Sequence, residues 1–139
     1  MDIILSIKPE WAAKIYSGEK IVEWRKTKPK KLRDYDYVFL YETAPVKKIT
    51  GFLELYGIAK KVKINNLSKR HPLITYGCLD KEELNRYAGG KTVYAWLIKK
   101  TVRFRSEDLK KIGFGLEEFG VKKAPQSWVY CKKRRSYDG

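Results

Sequence analysis

The run Ser17-Gly18-Glu19-Lys20-Ile21-Val22-Glu23-Trp24-Arg25 is the junction on which the reading of this chain turns. Gly18 suits the end of a helix, because glycine takes the left-handed conformation of a C′ residue without a Cβ penalty. From Lys20 onward polar and apolar side chains alternate, which predicts a strand to about Arg25. In a regular strand Ile21, Glu23 and Arg25 share one face, and Lys20, Val22 and Trp24 share the other. Charges woven into an apolar strand must be solvated or paired. The segment is therefore expected to edge a site.

Upstream, Ile3 to Ile7 reads as a short apolar strand, and Lys8-Pro9-Glu10 as the opening of a helix, with Glu10 where the dipole favours an anion. Trp11, Ala12, Ile15 and Tyr16 recur at helical spacing and should form its buried stripe, with Trp11 and Trp96 in the core. Downstream, the basic loop from Lys26 to Arg33 fits either a solvated or a phosphate-contacting role. Strands are expected over Tyr37 to Tyr41 and, after a turn at Thr43-Ala44-Pro45, from Lys48 to Ile64, where Gly51 and Gly57 mark bulges. A helical region spans Ser68 to Tyr87, interrupted at Pro72 and Gly77, with Asp80 as N-cap and Glu83 completing a capping box. Gly89-Gly90 turns the chain into Thr92 to Phe104, the longest strand signal, with a basic outer face. Ser106 caps a short helix over Glu107 to Lys111. Ala124 to Ser127 then leads into a last strand at Trp128 to Cys131. This order predicts an α+β fold, a small curved β-barrel with two to three short helices around it. One domain over 1–131 and a basic tail over 132–139 complete the expectation.

The 139 residues carry 31 Lys plus Arg against 16 Asp plus Glu, a formal net charge of +15. With 14% aromatic residues, that excess favours a polyanionic partner, RNA or a nucleotide, over an incidental basic character. Cys78 and Cys131 make neither a disulfide framework nor a zinc motif, which points to reduced thiols in a cytoplasmic protein. No apolar run approaches the roughly 18 residues that span a bilayer, so no membrane partner is expected. A lone histidine, His71, supports neither a Ser-His-Asp nor a Cys-His mechanism, and without a His/Cys cluster no metal site is expected. Gly113 and Gly115 lack the lysine of a phosphate loop, so no cofactor is expected. Catalysis, if present, would fall to Lys, Glu, Arg, Ser, Thr or Tyr.

Ser6-Ile7-Lys8-Pro9, Ile15, Gly18-Glu19-Lys20 and Glu23-Trp24-Arg25 together resemble the signature of the ASCH domain, the activating-signal-cointegrator homology family. The Tyr41 strand, Gly51, Tyr94-Ala95-Trp96 and Pro125-Gln126-Ser127 extend that resemblance along nearly the whole chain. It implies a PUA-like fold, with Lys20 to Arg25 lining a cleft beside the barrel and RNA binding as the role. Some members are amidohydrolases of N-acetylated cytidine that use Thr, Lys and Glu, and another is a ribonuclease. Lys20 matches the family's catalytic lysine. Where those hydrolases have a nucleophilic threonine this chain has Glu23, a carboxylate that cannot take over a hydroxyl's role.

The residues also support readings of their own. Glu23 and Arg25, roughly 7 Å apart on one strand face, form a stiffening ion pair or present a phosphate-binding cation and a base-binding acceptor. A catalytic Lys20 would need a lowered pKa, which neighbouring cations can supply, and sequence does not show whether they do. Trp24 and Trp128 stack on bases or pack in the core. Gln126 and Ser127 present polar groups to a ligand or close a turn. The candidate ligand-binding set is Lys8, Lys20, Glu23, Trp24, Arg25, Gln126, Ser127 and Trp128, with Lys20 and Glu23 catalytic if the protein is an enzyme. Three functions follow: an RNA- or modified-nucleotide-binding domain, a hydrolase of a modified nucleoside or RNA, and a protein-interaction domain of transcription-coregulator type.

Overall fold

The computed structural model describes residues 1–105 and 115–132. Five of the six strands are long enough to carry a core: β1 (Ile3–Ile7), β2 (Val22–Arg25), β3 (Val38–Glu42), β4 (Lys48–Val62) and β5 (Val93–Arg103). A short β6 (Trp128–Tyr130) closes the order β2-β5-β4-β3-β1-β6 in one sheet. β1 runs parallel to β3, and every other pairing is antiparallel. The fold is α+β: the sheet curls into a half-barrel, flanked by α1 (Pro9–Tyr16), α2 (Pro72–Thr75) and α3 (Lys81–Ala88).

The curl is built at bulges. The β3–β4 register slips between Leu40 and Tyr41, opposite Gly51. A Cβ on Gly51 would lie 2.2 Å from the Val102 carbonyl oxygen and 2.5 Å from the Tyr16 hydroxyl, so only glycine lets the sheet close on itself there. The β4–β5 register slips again around Gly57. Both glycines therefore mark irregularities, as their positions in the sequence predict.

Three apolar clusters hold the sheet. Ile3, Leu5 and Ile7 of β1 meet Ala12 and Ile15 of α1, Leu40 and Trp96 on one side. Ile4, Phe39, Phe52 and Phe119 fill the other, so β1 is buried on both faces. Val22, Trp24, Ile74, Leu84 and Val93 form a third cluster beneath α2 and α3. Asp80 caps α3 by accepting from the Glu83 amide, and the Glu83 carboxylate accepts from the Asp80 amide in return, the expected capping box.

Several expectations shift. The longest strand is β4, with 15 residues, rather than β5, with 11. Asn65 and its neighbours form a 3-10 turn over Ile64–Asn66, and another covers Leu116–Phe119; neither has a strong sequence signature. Trp11 is only half buried, unlike the fully buried Trp96. The helix expected over Glu107 to Lys111, Gly113 and the tail beyond Lys132 lie outside the described residues.

Candidate functional site

The junction after α1 decides the site. Gly18, at φ +84°, ends the helix in the left-handed conformation, and the Lys20 amide then donates back to the Lys14 carbonyl. That extra bond folds Lys20 under the helix before the strand starts. The amides of Ile21 and Val22 both donate to the Tyr76 carbonyl, and regular pairing with β5 begins only at Val22. Lys20 therefore lies outside the strand's alternation. The expected separation of Lys20 and Glu23 onto opposite faces fails, and their side chains meet.

The resulting cluster is nearly closed to water. The Lys20 ammonium is 3.4 Å from one Glu23 carboxylate oxygen, with their side chains 2% and 8% exposed. It also donates to the Gly77 carbonyl, and it lies 5.4 Å from the centroid of the Trp11 ring. A Cβ on Gly77 would stand 2.5 Å from the Trp24 indole nitrogen, so glycine is what lets that carbonyl approach. The other Glu23 oxygen accepts from Arg25 Nε at 2.9 Å and faces Nη2 at 2.7 Å. Arg25 continues across the curl: Nη2 donates to the Ser6 carbonyl at 2.9 Å and Nη1 to the Ser127 hydroxyl at 3.2 Å. β2 is one end of the sheet, and β1 and β6 form the other. Arg25 is thus a clasp between the two ends.

Burial pushes the Lys20 ammonium below its ordinary pKa, with Glu23 opposing the shift. The neighbouring cation Arg25 contributes least among the causes, so desolvation rather than cation crowding produces the depression. The Tyr87 phenol titrates above its ordinary value, again through burial. Glu23 is engaged by two cations, one at each carboxylate oxygen. Lys20 spends two of its three donors on Gly77 and Glu23, and one remains.

Above this cluster opens a cleft of about 690 Å³. Lys8, Lys20, Glu23, Trp24, Arg25 and Gln126 border it, so the structure brings together six of the eight residues singled out from sequence. Their roles differ. Trp24 is only 3% exposed and packs in the third cluster, which selects core packing over base stacking. Ser127 and Trp128 do not border the cleft; Ser127 holds Arg25, and the Trp128 indole donates to the Thr27 hydroxyl at 2.9 Å. The cleft also presents residues outside the sequence-derived set, among them Trp11, Thr43, Arg86 and Tyr87. Helical spacing alone puts Trp11 in the core. For Tyr87 and Arg86 the helical pattern of α3 is visible in the sequence, but not the side of the sheet it covers. Among the described residues, no group of three or more His, Cys, Asp or Glu side chains could hold a metal ion. No helix among them is long and apolar enough to cross a membrane.

The crystal structure of an ASCH protein from Zymomonas mobilis is similar to this chain, with 26% identity and a TM-score of 0.71, over 98% of this chain and 90% of that one. A Tyr-to-Phe variant of the Zymomonas protein is equally similar, with 26% identity and a TM-score of 0.71 over 95% of this chain and 91% of that one. No curated protein matches the sequence. The family model described as the ASCH domain matches residues 5–114, which takes in α1, the Lys20–Arg25 cluster and all of the sheet except β6 and the first two residues of β1. This chain belongs to the ASCH domain family.

Proposed function

We propose that the protein is an RNA- or modified-nucleotide-binding domain whose ligand enters the cleft over Lys20, Glu23 and Arg25. The observation that carries this reading is the pairing of aromatic walls with uncommitted cations. Trp11 and Tyr87 border the cleft, as do Lys8 and Arg86, and neither of those cations has a carboxylate within 4.0 Å among the described residues. Rings of this kind hold an unpaired base by stacking, and cations at the rim meet its phosphate. A volume of about 690 Å³ lies within the range of small-ligand sites and suits one nucleotide. Membership of the family is consistent with the same role.

Titrating a fluorescently labelled single-stranded RNA against the protein at increasing salt tests the proposal. Affinity should fall steeply with salt, and Lys8→Ala with Arg86→Ala should flatten the slope. A flat salt response in the parent protein would sink the phosphate contact.

A second reading draws on one specific feature. Lys20 is a buried lysine with a depressed pKa beside a carboxylate, the environment in which lysines take part in proton transfer. Under it the protein hydrolyses a modified nucleoside such as N-acetylcytidine, or RNA, with Thr43 among the hydroxyls bordering the same cleft. Incubation with N-acetylcytidine and with labelled RNA decides between the two. Turnover that Lys20→Ala abolishes favours hydrolysis, and its absence favours binding alone.

A further inference from the structure

We propose that a second, lysine-lined groove, beginning where the cleft ends, carries the sugar–phosphate backbone of a single strand whose base occupies the cleft. The proposal rests on the nucleotide-binding reading of the cleft and deepens it: the ligand is a strand several nucleotides long rather than a free nucleoside.

The groove has a volume of about 680 Å³ and is lined by Lys26, Thr27, Lys28, Lys30, Lys91, Thr92 and Tyr94. Its four lysines have no carboxylate within 4.0 Å among the described residues. All four are exposed. Four like charges converging without a counter-ion raise the local potential and cost stability unless an anion offsets them.

The groove adjoins the cleft through shared structure. Arg25 borders the cleft, and the next residue, Lys26, borders the groove. The Lys26 ammonium sits 4.9 Å from the ring centroid of Tyr87, a wall of the cleft. Arg25 also pairs in register with Tyr94, which lines the groove. A strand leaving the cleft past Tyr87 therefore meets Lys26 first.

The lysines are partly held in place before any ligand arrives. Lys28 lies 5.7 Å from the Tyr94 ring centroid, and the Thr27 hydroxyl accepts from the Trp128 indole nitrogen. Pro29 is buried beneath the same loop. Held cations lose less side-chain freedom on meeting phosphates. A basic track running on from an aromatic site is the arrangement that holds single strands without reading their sequence. A duplex would have to unpair and release a base to fill the cleft, which favours a single strand.

The test compares chain length across two variants. The probes are cytidine monophosphate and labelled oligocytidylate strands of increasing length, as RNA and as DNA, with polyglutamate as a non-nucleic polyanion. One variant combines Lys28→Gln, Lys30→Gln and Lys91→Gln, and leaves Lys26, which touches Tyr87 of the cleft, unchanged. The other is Trp11→Ala, in the cleft. Circular dichroism and the thermal midpoint confirm that both fold.

The parent protein should bind the longer strands roughly tenfold or more tightly than the monophosphate. The groove variant should lose that gain on RNA and DNA alike while keeping its affinity for the monophosphate. Its log–log salt slope should shrink by about 0.7 for each phosphate that the substituted lysines no longer neutralise. Equal affinity of the parent for monophosphate and long strand overturns the proposal, as does a groove variant that binds long strands like the parent. Polyglutamate bound as tightly as RNA, and lost with the same lysines, overturns it in favour of an acidic protein partner. If the groove variant behaves as expected but Trp11→Ala changes nothing, the groove stands and the cleft reading fails.

Discussion

Arg25 and Lys26 are neighbours in sequence and opposites in circumstance. Arg25 belongs to a buried cluster in which its guanidinium bonds to Glu23, Ser6 and Ser127 and ties the two ends of the sheet. Lys26 begins an exposed groove whose lysines have no acidic partner within 4.0 Å among the described residues. The net charge of +15 counts both residues alike. Physically, one cation is a strut whose removal leaves a carboxylate buried beside it, and the other stands exposed with no such carboxylate beside it. Burial and partnering, not charge count, divide the structural part of this basic surface from the part proposed to meet a ligand.

That contrast makes predictions that would break it. The largest effect is expected for Arg25→Ala. Breaking a buried pair by removing one partner costs about 3–5 kcal/mol, and here the clasp across the curl is lost too. Urea denaturation should record a loss of that size, and a change under about 1 kcal/mol would show that Arg25 is no strut. Next, Gly77→Ala should cost about 1–3 kcal/mol, because the new methyl would press on the Trp24 indole and on the Leu73 carbonyl and displace the carbonyl that holds Lys20. Gly57→Ala is the control, since a Cβ there meets nothing within 4 Å. Stability loss at Gly57 equal to that at Gly77 would remove the packing explanation.

A third expectation concerns pH. Burial lowers the pKa of Lys20 in the fold, so below that value the folded protein bears the cost of a desolvated charge. Above it the unfolded chain binds more protons than the folded one, until its own lysine titrates near 10.5. The stability of the parent relative to Lys20→Met should therefore rise with pH through the folded-state pKa, and level off near that upper value. Thermal midpoints of the two proteins across this range check it, and a difference that falls with pH would reverse the assignment. The smallest effect belongs to the groove: Lys28→Ala should change stability by no more than about 0.5 kcal/mol. A larger loss would place that lysine with the struts.

How much of the molecule is legible in its sequence follows the range of the interactions. Gly18 as a helix stop, the Asp80–Glu83 capping box and the bulge at Gly51 are local, and the residue types announce them. The meeting of Lys20 and Glu23 is not local. It depends on where β2 begins, which the Tyr76 carbonyl helps to set, and on the Gly77 carbonyl, 57 positions from Lys20. An alternating pattern cannot reveal a strand that starts two residues late. Trp11 escapes the pattern for a similar reason: helical spacing gives a stripe, but its edge residue faces whatever the tertiary fold puts there. Lys8 and Gln126 can be found because they flank elements whose ends are legible, while Tyr87 and Arg86 need the position of α3 over the sheet.

The four tryptophans provide the most direct test of the central claim, that a base enters the cleft between Trp11 and Tyr87. Trp96 is fully buried and Trp24 nearly so, whereas Trp11 lines the cleft and Trp128 lies outside it. Two-dimensional NMR of the indole N–H resonances during titration with a single-stranded RNA reads all of them at once. With a base in the cleft, the Trp11 indole should shift most and Trp96 should stay unmoved. A saturable titration that leaves the Trp11 indole where it began would contradict it.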